Sequence, residues 1–259
     1  MSAQWSLLPP STPRAAFGKL LTSEARLAWR QPLGLIFGLG LPVLLLVIFG
    51  SIPGFSKPSA ALGGLTLFNV YVPILITFVI GALALLSLPG PLASYRELGI
   101  LRRLSTTPVP PPWVLGAQLV INFCIAATAV IIVVVVGITA YGADSPSSPG
   151  GLVLAILVAT AALFAIGLCI AAVARTARGA GVLGAIAFYP LLFFAGLWVP
   201  RGEMPAALRD ISNYTPFGAA VQAIQDAIQP GTVEWTALLV MAAYAVAFGA
   251  LAVRVFRWE

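Results

Sequence analysis

The chain has 259 residues, of which 60% are hydrophobic and only 8% are charged. About a quarter of the residues of a soluble domain carry charge, so the composition excludes that class. The net charge is +6, but no basic face is interleaved with aromatic side chains, so nucleic-acid binding is not predicted. A mean hydropathy of +1.01 instead predicts a membrane protein.

The start of the chain is predicted to be a flexible N-terminal segment followed by an amphipathic helix. Residues 1–13 contain prolines and serines but no Lys or Arg, and we expect them to be flexible. Residues 14–31 mix basic side chains with large apolar ones, which predicts a helix lying in the headgroup region of the inner leaflet. A soluble helical tail is the alternative for this segment.

Six nearly charge-free runs follow, at residues 33–50, 65–88, 113–139, 152–173, 181–200 and 235–253. Each reaches about the 17 to 25 residues that a helix needs to cross a bilayer. A helix also satisfies its own backbone polar groups in lipid. The first run could be a signal peptide, but it is long for one and no A-x-A cleavage site follows it. We therefore predict an all-α polytopic membrane protein with six transmembrane helices.

Charge predicts the orientation of these spans. Eleven of the fourteen Lys and Arg residues lie before the first run, after the second, after the fourth or after the last. Such residues are retained on the cytoplasmic side of short loops, so both termini should be cytoplasmic. The predicted organisation is one transmembrane domain over residues 14–255 with a cytoplasmic tail at 256–259. High Ala, Val and Gly usage points to a bacterium, and hence to its plasma membrane.

The loop after the second run carries an unusual concentration of charge. Arg96, Glu97, Arg102 and Arg103 stand together, while leucines recur at positions 98, 101 and 104. Gly99 weakens a helix there by about 1 kcal/mol relative to Ala, and the prolines from residue 108 onward forbid its continuation. The pattern predicts a short charged element just below the membrane. Taken alone, it could also be a simple positive-inside anchor.

A second helix is predicted on the outer side, between the fifth and sixth runs. Thr215 followed by Pro216 is typical of a helix start. Phe217, Val221, Ile224 and Ile228 then share one helical face. Because such a face needs an apolar surface to cover, we expect outer re-entrant helices that fold back onto the spans. A connecting helix with no role in transport is the alternative.

Three motifs resemble those of type-2 ATP-binding-cassette (ABC) exporter permeases. The stretch "ELGILRRLSTTP" is similar to their first cytoplasmic loop, and Ile100 stands where Thr is usual. "RQPLGLIFGLGLP" resembles their entry to the first span, and "FAGLWVPRGEMPAALRDISNYTPF" resembles their outer segment. The resemblance covers about residues 14–255 and is closest to the daunorubicin-resistance type of drug exporter permease.

The resemblance implies a permease subunit that works with a second permease, of the same or a different chain. Two nucleotide-binding subunits would bind ATP and Mg, while this chain would bind no cofactor. Residues 95–107 would form a coupling helix seated in a groove of the ATPase. The implied coupling residues are Tyr95, Arg96, Glu97, Gly99, Leu101, Arg102, Arg103 and Leu104.

The sequence shows no source of energy for transport, which also indicates a partner. The sequence has no G-x-x-x-x-G-K-[ST] phosphate loop, and no ionisable residue lies centrally in a predicted span, where ion-coupled carriers place theirs. Asn69, Gln118 and Asn122 are polar within the spans and can hydrogen-bond between helices. With no His, and with Cys124 and Cys169 inside spans, no catalytic or metal site is predicted.

The scarcity of polar groups in the spans favours an apolar or amphipathic cargo, such as a drug or a lipid. By analogy with the family, the path should run where the second and fifth spans meet those of the second permease. The candidate residues are Asn69, Phe78, Phe188, Tyr189 and Phe193.

Four other functions compete with a drug or lipid exporter. The chain could export a lipid-linked glycan, act as a channel or scaffold without ATP, or work as a secondary carrier. A membrane enzyme such as a lipid transferase would need convergent acids or a metal near one interface. Glu97 is the sole acid of the inner loops, and we expect nothing to pair with it.

Overall fold

A computed structural model of the chain describes residues 13–29, 36–52, 54–55, 57, 66–100, 110, 112–229 and 235–255. These residues form helices joined by turns and short loops. The α-helices are α1 (Pro13–Trp29), α2 (Leu41–Ser51), α3 (Leu67–Ala82), α4 (Pro89–Glu97), α5 (Pro112–Tyr141), α6 (Pro149–Val173), α7 (Ala177–Ala195), α8 (Ala206–Tyr214), α9 (Pro216–Ile228) and α10 (Trp235–Val255).

Five helical segments of the described residues are long and apolar enough to cross a membrane. They are Leu67–Glu97, Pro112–Tyr141, Pro149–Val173, Ala177–Ala195 and Trp235–Val255. The first predicted run is shorter: a π-helical turn at Ile36–Gly40 leads directly into α2. Residues 30–35 lie outside the described part. The helical membrane fold is confirmed, whereas the count of six spans stays a prediction.

The second span is longer than the sequence predicted. A π-helical turn at Leu83–Ser87 joins α3 to α4, so one helical segment runs from Leu67 to Glu97 and does not end near residue 88. The extra residue of this turn accommodates Pro89, which sits at the start of α4 where a missing N–H costs little. Residues 95–97 are therefore the last turn of this span, and the coupling helix expected over residues 95–107 stays a prediction.

Gly99 explains where the segment stops. Its φ of 65° lies in the left-handed region that favours glycine at the residue after a helix. Leu98 and Gly99 form a turn, and the Gly99 N–H donates to the Arg96 carbonyl over 3.1 Å. The chain turns at Gly99 because this residue tolerates positive φ.

The segment Leu67–Glu97 lies at the centre of the bundle. Within its most apolar stretch 83% of the residues are buried, against 22% for both α7 and α10. Its π-helical turn packs between α6 and α7, where the carbonyl oxygens of Ala84 and Leu85 face Gly167 and Gly184. A Cβ at either glycine would lie 2.0 Å from the facing oxygen. Only glycine permits this approach.

The helix predicted after Thr215 is present as α9. The Thr215 hydroxyl accepts a hydrogen bond from the Gly218 N–H at 3.1 Å, which is the expected cap. Phe217 and Ile224 are fully buried against α3, α6, α7 and α10. More of α9 is buried than the predicted stripe, because alanines between the stripe residues also contact the neighbouring helices. Its depth in a membrane stays a prediction.

Helix α1 lies across the start of α5. The Phe17 and Trp113 rings meet edge to face with 5.7 Å between centroids. The contacting side of α1 also carries Leu20, Leu21 and Glu24, while Lys19 and Arg26 are exposed. This polarity is compatible with the predicted interfacial position, which stays a prediction. Three predicted features lie outside the described part. They are the first twelve residues of the N-terminal segment (1–12), the end of the interfacial helix (30–31) and the cytoplasmic tail (256–259).

Candidate functional site

Glu24 is the buried centre of a polar contact between α1, α4 and α5. Only 4% of its surface is exposed. The Tyr95 hydroxyl lies 2.7 Å from each of its carboxylate oxygens, and the Gln118 amide donates to one of them at 2.5 Å. A carboxylate buried from water needs such donors. The contact therefore fixes α1 to the last turn of the second span.

Arg96 reaches the end of a different helix. Its guanidinium donates to the Ala172 carbonyl oxygen at 2.9 Å and to the Ala174 carbonyl oxygen. Both carbonyls belong to the C-terminal turn of α6, where the helix dipole is negative and several carbonyls lack helical partners. Arg96 thus supplies a positive charge and N–H donors where α6 needs them.

Glu97 reaches the start of the next helix. Its carboxylate accepts a hydrogen bond from the Ala177 N–H at 2.9 Å, at the first residue of α7. The helix dipole is positive there, so a carboxylate is favourable. The partner of Glu97 is thus a backbone group, which side-chain chemistry does not reveal.

Three consecutive residues therefore tie the end of the second span to three other elements. Tyr95 holds α1, Arg96 holds the end of α6, and Glu97 holds the start of α7. We call this arrangement the 95–97 clamp. It can transmit a displacement of residues 95–97 to the connection between α6 and α7, because every contact is a charge-assisted hydrogen bond.

The rest of the predicted coupling residues divide into two groups. Gly99 forms the turn after the clamp, beside Leu98, whose side chain is 63% exposed. Leu101, Arg102, Arg103 and Leu104 lie outside the described residues. The coupling role of the whole set stays a prediction.

Asn69, a candidate for the cargo path, is held by a loop. Its amide donates to the Asp144 carboxylate at 2.5 Å, and its carbonyl oxygen accepts from the Asp144 N–H at 3.1 Å. Asn69 is only 5% exposed. Like Gln118, it makes a polar contact between segments, as the sequence predicted, while Asn122 donates to Gln118 on its own helix.

The aromatic candidates for the cargo path occupy two different environments. Phe78 and Phe188 are buried and meet edge to face at 5.4 Å, and Phe217 of α9 packs against Phe188 at 5.8 Å. Tyr189 is 57% exposed, and Phe193 is partly buried beside its neighbour in the chain. The structure thus separates one buried aromatic cluster from the outward face of α7.

The sequence analysis missed Glu24 as a member of the site. A usable signal was present, because Glu24 follows Phe17 and Leu21 at the i, i+4, i+7 spacing of one helical face. An acid on the apolar side of an amphipathic helix indicates a buried donor partner. No group of three His, Cys, Asp or Glu side chains in the described ranges comes together as metal ligands would.

The comparisons with known proteins agree with this architecture. A family model described as ABC-2 type transporter matches residues 15–228, which is more than half of the chain. No curated protein matches it. The family implies association with ATP-binding subunits and with a membrane, and membership makes the chain a transport subunit without catalytic activity of its own. The chain therefore belongs to the ABC-2 type transporter family, as the permease component of such a transporter.

Proposed function

We propose that the chain is the permease of an ATP-driven exporter that moves an apolar or amphipathic cargo, such as a drug or a lipid, out of the cytoplasm or the inner leaflet. Separate nucleotide-binding subunits hydrolyse the ATP. The observation that carries this proposal is the 95–97 clamp, which lies directly before the segment that resembles a coupling helix. Family membership supports the same assignment.

The geometry supports a mechanical route from the ATPase into the bundle. Closure of the nucleotide-binding subunits pushes on residues 98–107, next to the turn at Gly99. The second span moves as a unit, because it is closely packed along its length. Arg96 and Glu97 carry α6 and α7 with it. The ATP-bound partner needs to prefer one of two arrangements by only a few kcal/mol.

The cargo path follows from the uneven burial of α7. This helix is largely uncovered, and Val182, Ile186 and Tyr189 form an exposed apolar face. A second permease, identical or different, covers this face and forms the path with it. Phe78 and Phe188 lie behind the face and reach the path only when α3 and α7 separate. An apolar cargo suits such a lining.

The test is reconstitution of the chain with its nucleotide-binding partner in lipid vesicles. We expect ATP-dependent accumulation of a hydrophobic dye and cargo-stimulated ATP hydrolysis, both lost when the catalytic base of the partner is replaced. Leu98→Asp should reduce coupled transport at least tenfold, because a charge replaces the exposed apolar side chain beside the coupling segment.

The control is Ile211→Asp, which places the same charge at a 52% exposed apolar position of α8. It should leave ATP hydrolysis and transport near the unmodified level. Uphill transport by the permease without any ATPase would overturn the proposal. So would unchanged coupling in both Leu98→Asp and Leu101→Asp.

A further inference from the structure

Arg201 is a buried cation at the end of α7 opposite to the clamp. Its exposed fraction is 8%. Its guanidinium donates to the Ser212 hydroxyl at 3.0 Å, to the side-chain oxygen Oε1 of Gln222 at 2.9 Å and to the side-chain oxygen Oδ1 of Asn213. All three acceptors are neutral, and a guanidinium has more N–H donors than these bonds use.

The local fold holds Arg201 rigidly. Gly196 ends α7 with a φ of 93°, which turns the chain back toward α8. Ser212 is fully buried and donates its own hydroxyl hydrogen to the Phe194 carbonyl oxygen at 2.6 Å. The guanidinium is therefore fixed in position by α7, α8 and α9 together, as a preorganised binding group requires.

A polar cavity of about 440 Å³ opens beside this guanidinium, between α8, α9 and the start of α10. Its lining includes Arg201, Arg209, Asn213, Gln222, Asp226 and Gln229. Ligand sites commonly occupy about 300 to 1,000 Å³. The cavity is large enough for a small polar headgroup, and its guanidinium and amide side chains can make polar contacts with one.

The ionised groups among the described residues that line the cavity sum to a positive charge. In this set Arg201 and Arg209 face one carboxylate, Asp226, which also accepts a hydrogen bond from the Gln222 amide at 2.7 Å. Burial lowers the pKa of the Arg201 guanidinium, Asp226 opposes this change and Arg209 adds to it. The protein thus compensates the buried cation only in part, and an anion in the cavity would complete the compensation.

Gln229 also lines the cavity. Its side-chain nitrogen is buried, and no hydrogen-bond partner is found for it in the described part of the chain. A buried donor without an acceptor is destabilising. The amide and the two guanidinium groups together favour a guest rich in acceptor oxygens.

Exposed aromatic side chains border the cavity. Trp198, Tyr214 and Trp235 are 56%, 65% and 66% exposed, and they stand at the ends of α7, α8 and α10 that border the cavity. Trp and Tyr concentrate where a membrane protein meets the headgroup region.

From these observations we infer that the cavity beside Arg201 binds a phosphate group, with Arg201 and Arg209 as its charged donors and Gln229 as its neutral donor. The phosphate belongs to the headgroup of an anionic lipid or is free phosphate. The site does not depend on the proposed export activity, because it lies at the far end of α7 from the clamp.

The experiment uses the full chain purified in a neutral, phosphate-free detergent. It is titrated separately with a short-chain phosphatidylglycerol, with inorganic phosphate and with a diacylglycerol of the same chain length. Binding is followed by the thermal unfolding midpoint and by ³¹P NMR line broadening.

We expect saturable binding of the two phosphate compounds and none of the diacylglycerol. Affinity for the lipid at least tenfold above that for inorganic phosphate identifies the headgroup as the source, and equal affinities identify free phosphate.

Three variants make the result specific. Arg209→Gln should weaken binding about tenfold, because an exposed guanidinium is lost without disturbing the fold. Gln229→Leu should also weaken binding, yet raise the unfolding midpoint without phosphate, since a buried unpaired donor is removed. Arg26→Gln, at an exposed position at the other end of the bundle, is the charge-matched control. It should change neither phosphate binding nor the unfolding midpoint. Absence of saturable phosphate binding, or binding that survives both cavity variants, overturns the inference.

Discussion

The middle and the end of the second span are held in different ways. In the middle, the π-helical turn at Leu83–Ser87 packs backbone against glycine, with every contact apolar or main-chain. At the end, Tyr95, Arg96 and Glu97 each reach a polar group of another helix. The middle tolerates no added volume, whereas the end is held by separate bonds that can break one at a time.

This difference indicates how a membrane transporter can combine rigidity with switching. Closely packed groups have one low-energy arrangement, because the energy rises steeply when atoms overlap. The middle of the span therefore moves as a block. At the end, the hydrogen bonds of Arg96 and Glu97 are less buried than the contact at Glu24 and exchange with water at a smaller net cost. A partner that binds next to residue 97 can therefore rearrange the end without unpacking the middle.

Substitution of the glycines in the middle should have the largest effect. Gly167→Ala and Gly184→Ala each place a Cβ 2.0 Å from a carbonyl oxygen of the π-helical turn. We expect each to lower the free energy of unfolding by about 2 to 3 kcal/mol, since the backbone must shift. Thermal unfolding of the purified chain in detergent measures this loss of stability.

The matched control is Gly181→Ala, on the same helix as Gly184. Nothing lies within 4 Å of a Cβ at that position. Alanine should then stabilise the helix by up to about 1 kcal/mol. If Gly184→Ala and Gly181→Ala shift the unfolding midpoint equally, the close approach of the turn is not what holds the middle.

Loss of Glu24 should be the next largest effect. Glu24→Leu removes the acceptor shared by Tyr95 and Gln118, and both donors stay buried. We expect a loss of about 2 kcal/mol in the free energy of unfolding. Glu24→Gln should lose less, because it keeps an acceptor oxygen.

A double-mutant cycle sharpens this prediction. Once Glu24→Leu is present, Tyr95→Phe should cost nothing further, because the hydroxyl then has no carboxylate to reach. Additive losses from the two changes would show that Tyr95 and Glu24 do not act through each other.

Arg96→Gln should have a smaller and more local effect. It removes the positive charge at the end of α6, which is worth about 0.3 to 1 kcal/mol near a helix terminus. Hydrogen exchange of backbone amides in residues 172–177 should become faster. Arg209, an exposed residue at the other end of the bundle, changed to Gln, is the control and should leave these amides unchanged. Equal rates in both variants would contradict the role of Arg96 in the clamp.

Glu97→Gln should have the smallest effect. The amide oxygen can still accept from the Ala177 N–H, and only the interaction of the charge with the α7 dipole is lost. We expect faster exchange of the Ala177 amide at low ionic strength and a smaller difference at high salt, because salt screens an exposed charge. A difference that does not respond to salt would point to a lost hydrogen bond instead.

The sequence predicted local features of the site better than it predicted contacts between distant segments of the chain. Thr215 and Pro216 start α9 as expected, because a helix cap involves residues only three apart. The partners of Asn69 and Arg96 lie about 75 positions away along the chain. Without an alignment of relatives, no local pattern specifies which of several polar residues will meet.

The same limit explains the two boundary errors. The second run was predicted to end near residue 88, and a proline such as Pro89 usually interrupts a helix. The π-helical turn absorbs Pro89, and the helix continues to Glu97. The fifth run was predicted to extend to residue 200, but Gly196 ends α7 at Ala195 by adopting a positive φ.

The sequence by itself determined that this is a helical membrane protein of the ABC-2 type family, because hydrophobicity, helix length and short motifs are properties of contiguous residues. The tertiary structure alone decided that Glu24 faces Tyr95, that Arg96 and Glu97 join two helix ends, and that Arg201 is buried beside a polar cavity. Each of these depends on how the helices assemble, since a buried polar group is stable only where a partner from another segment arrives.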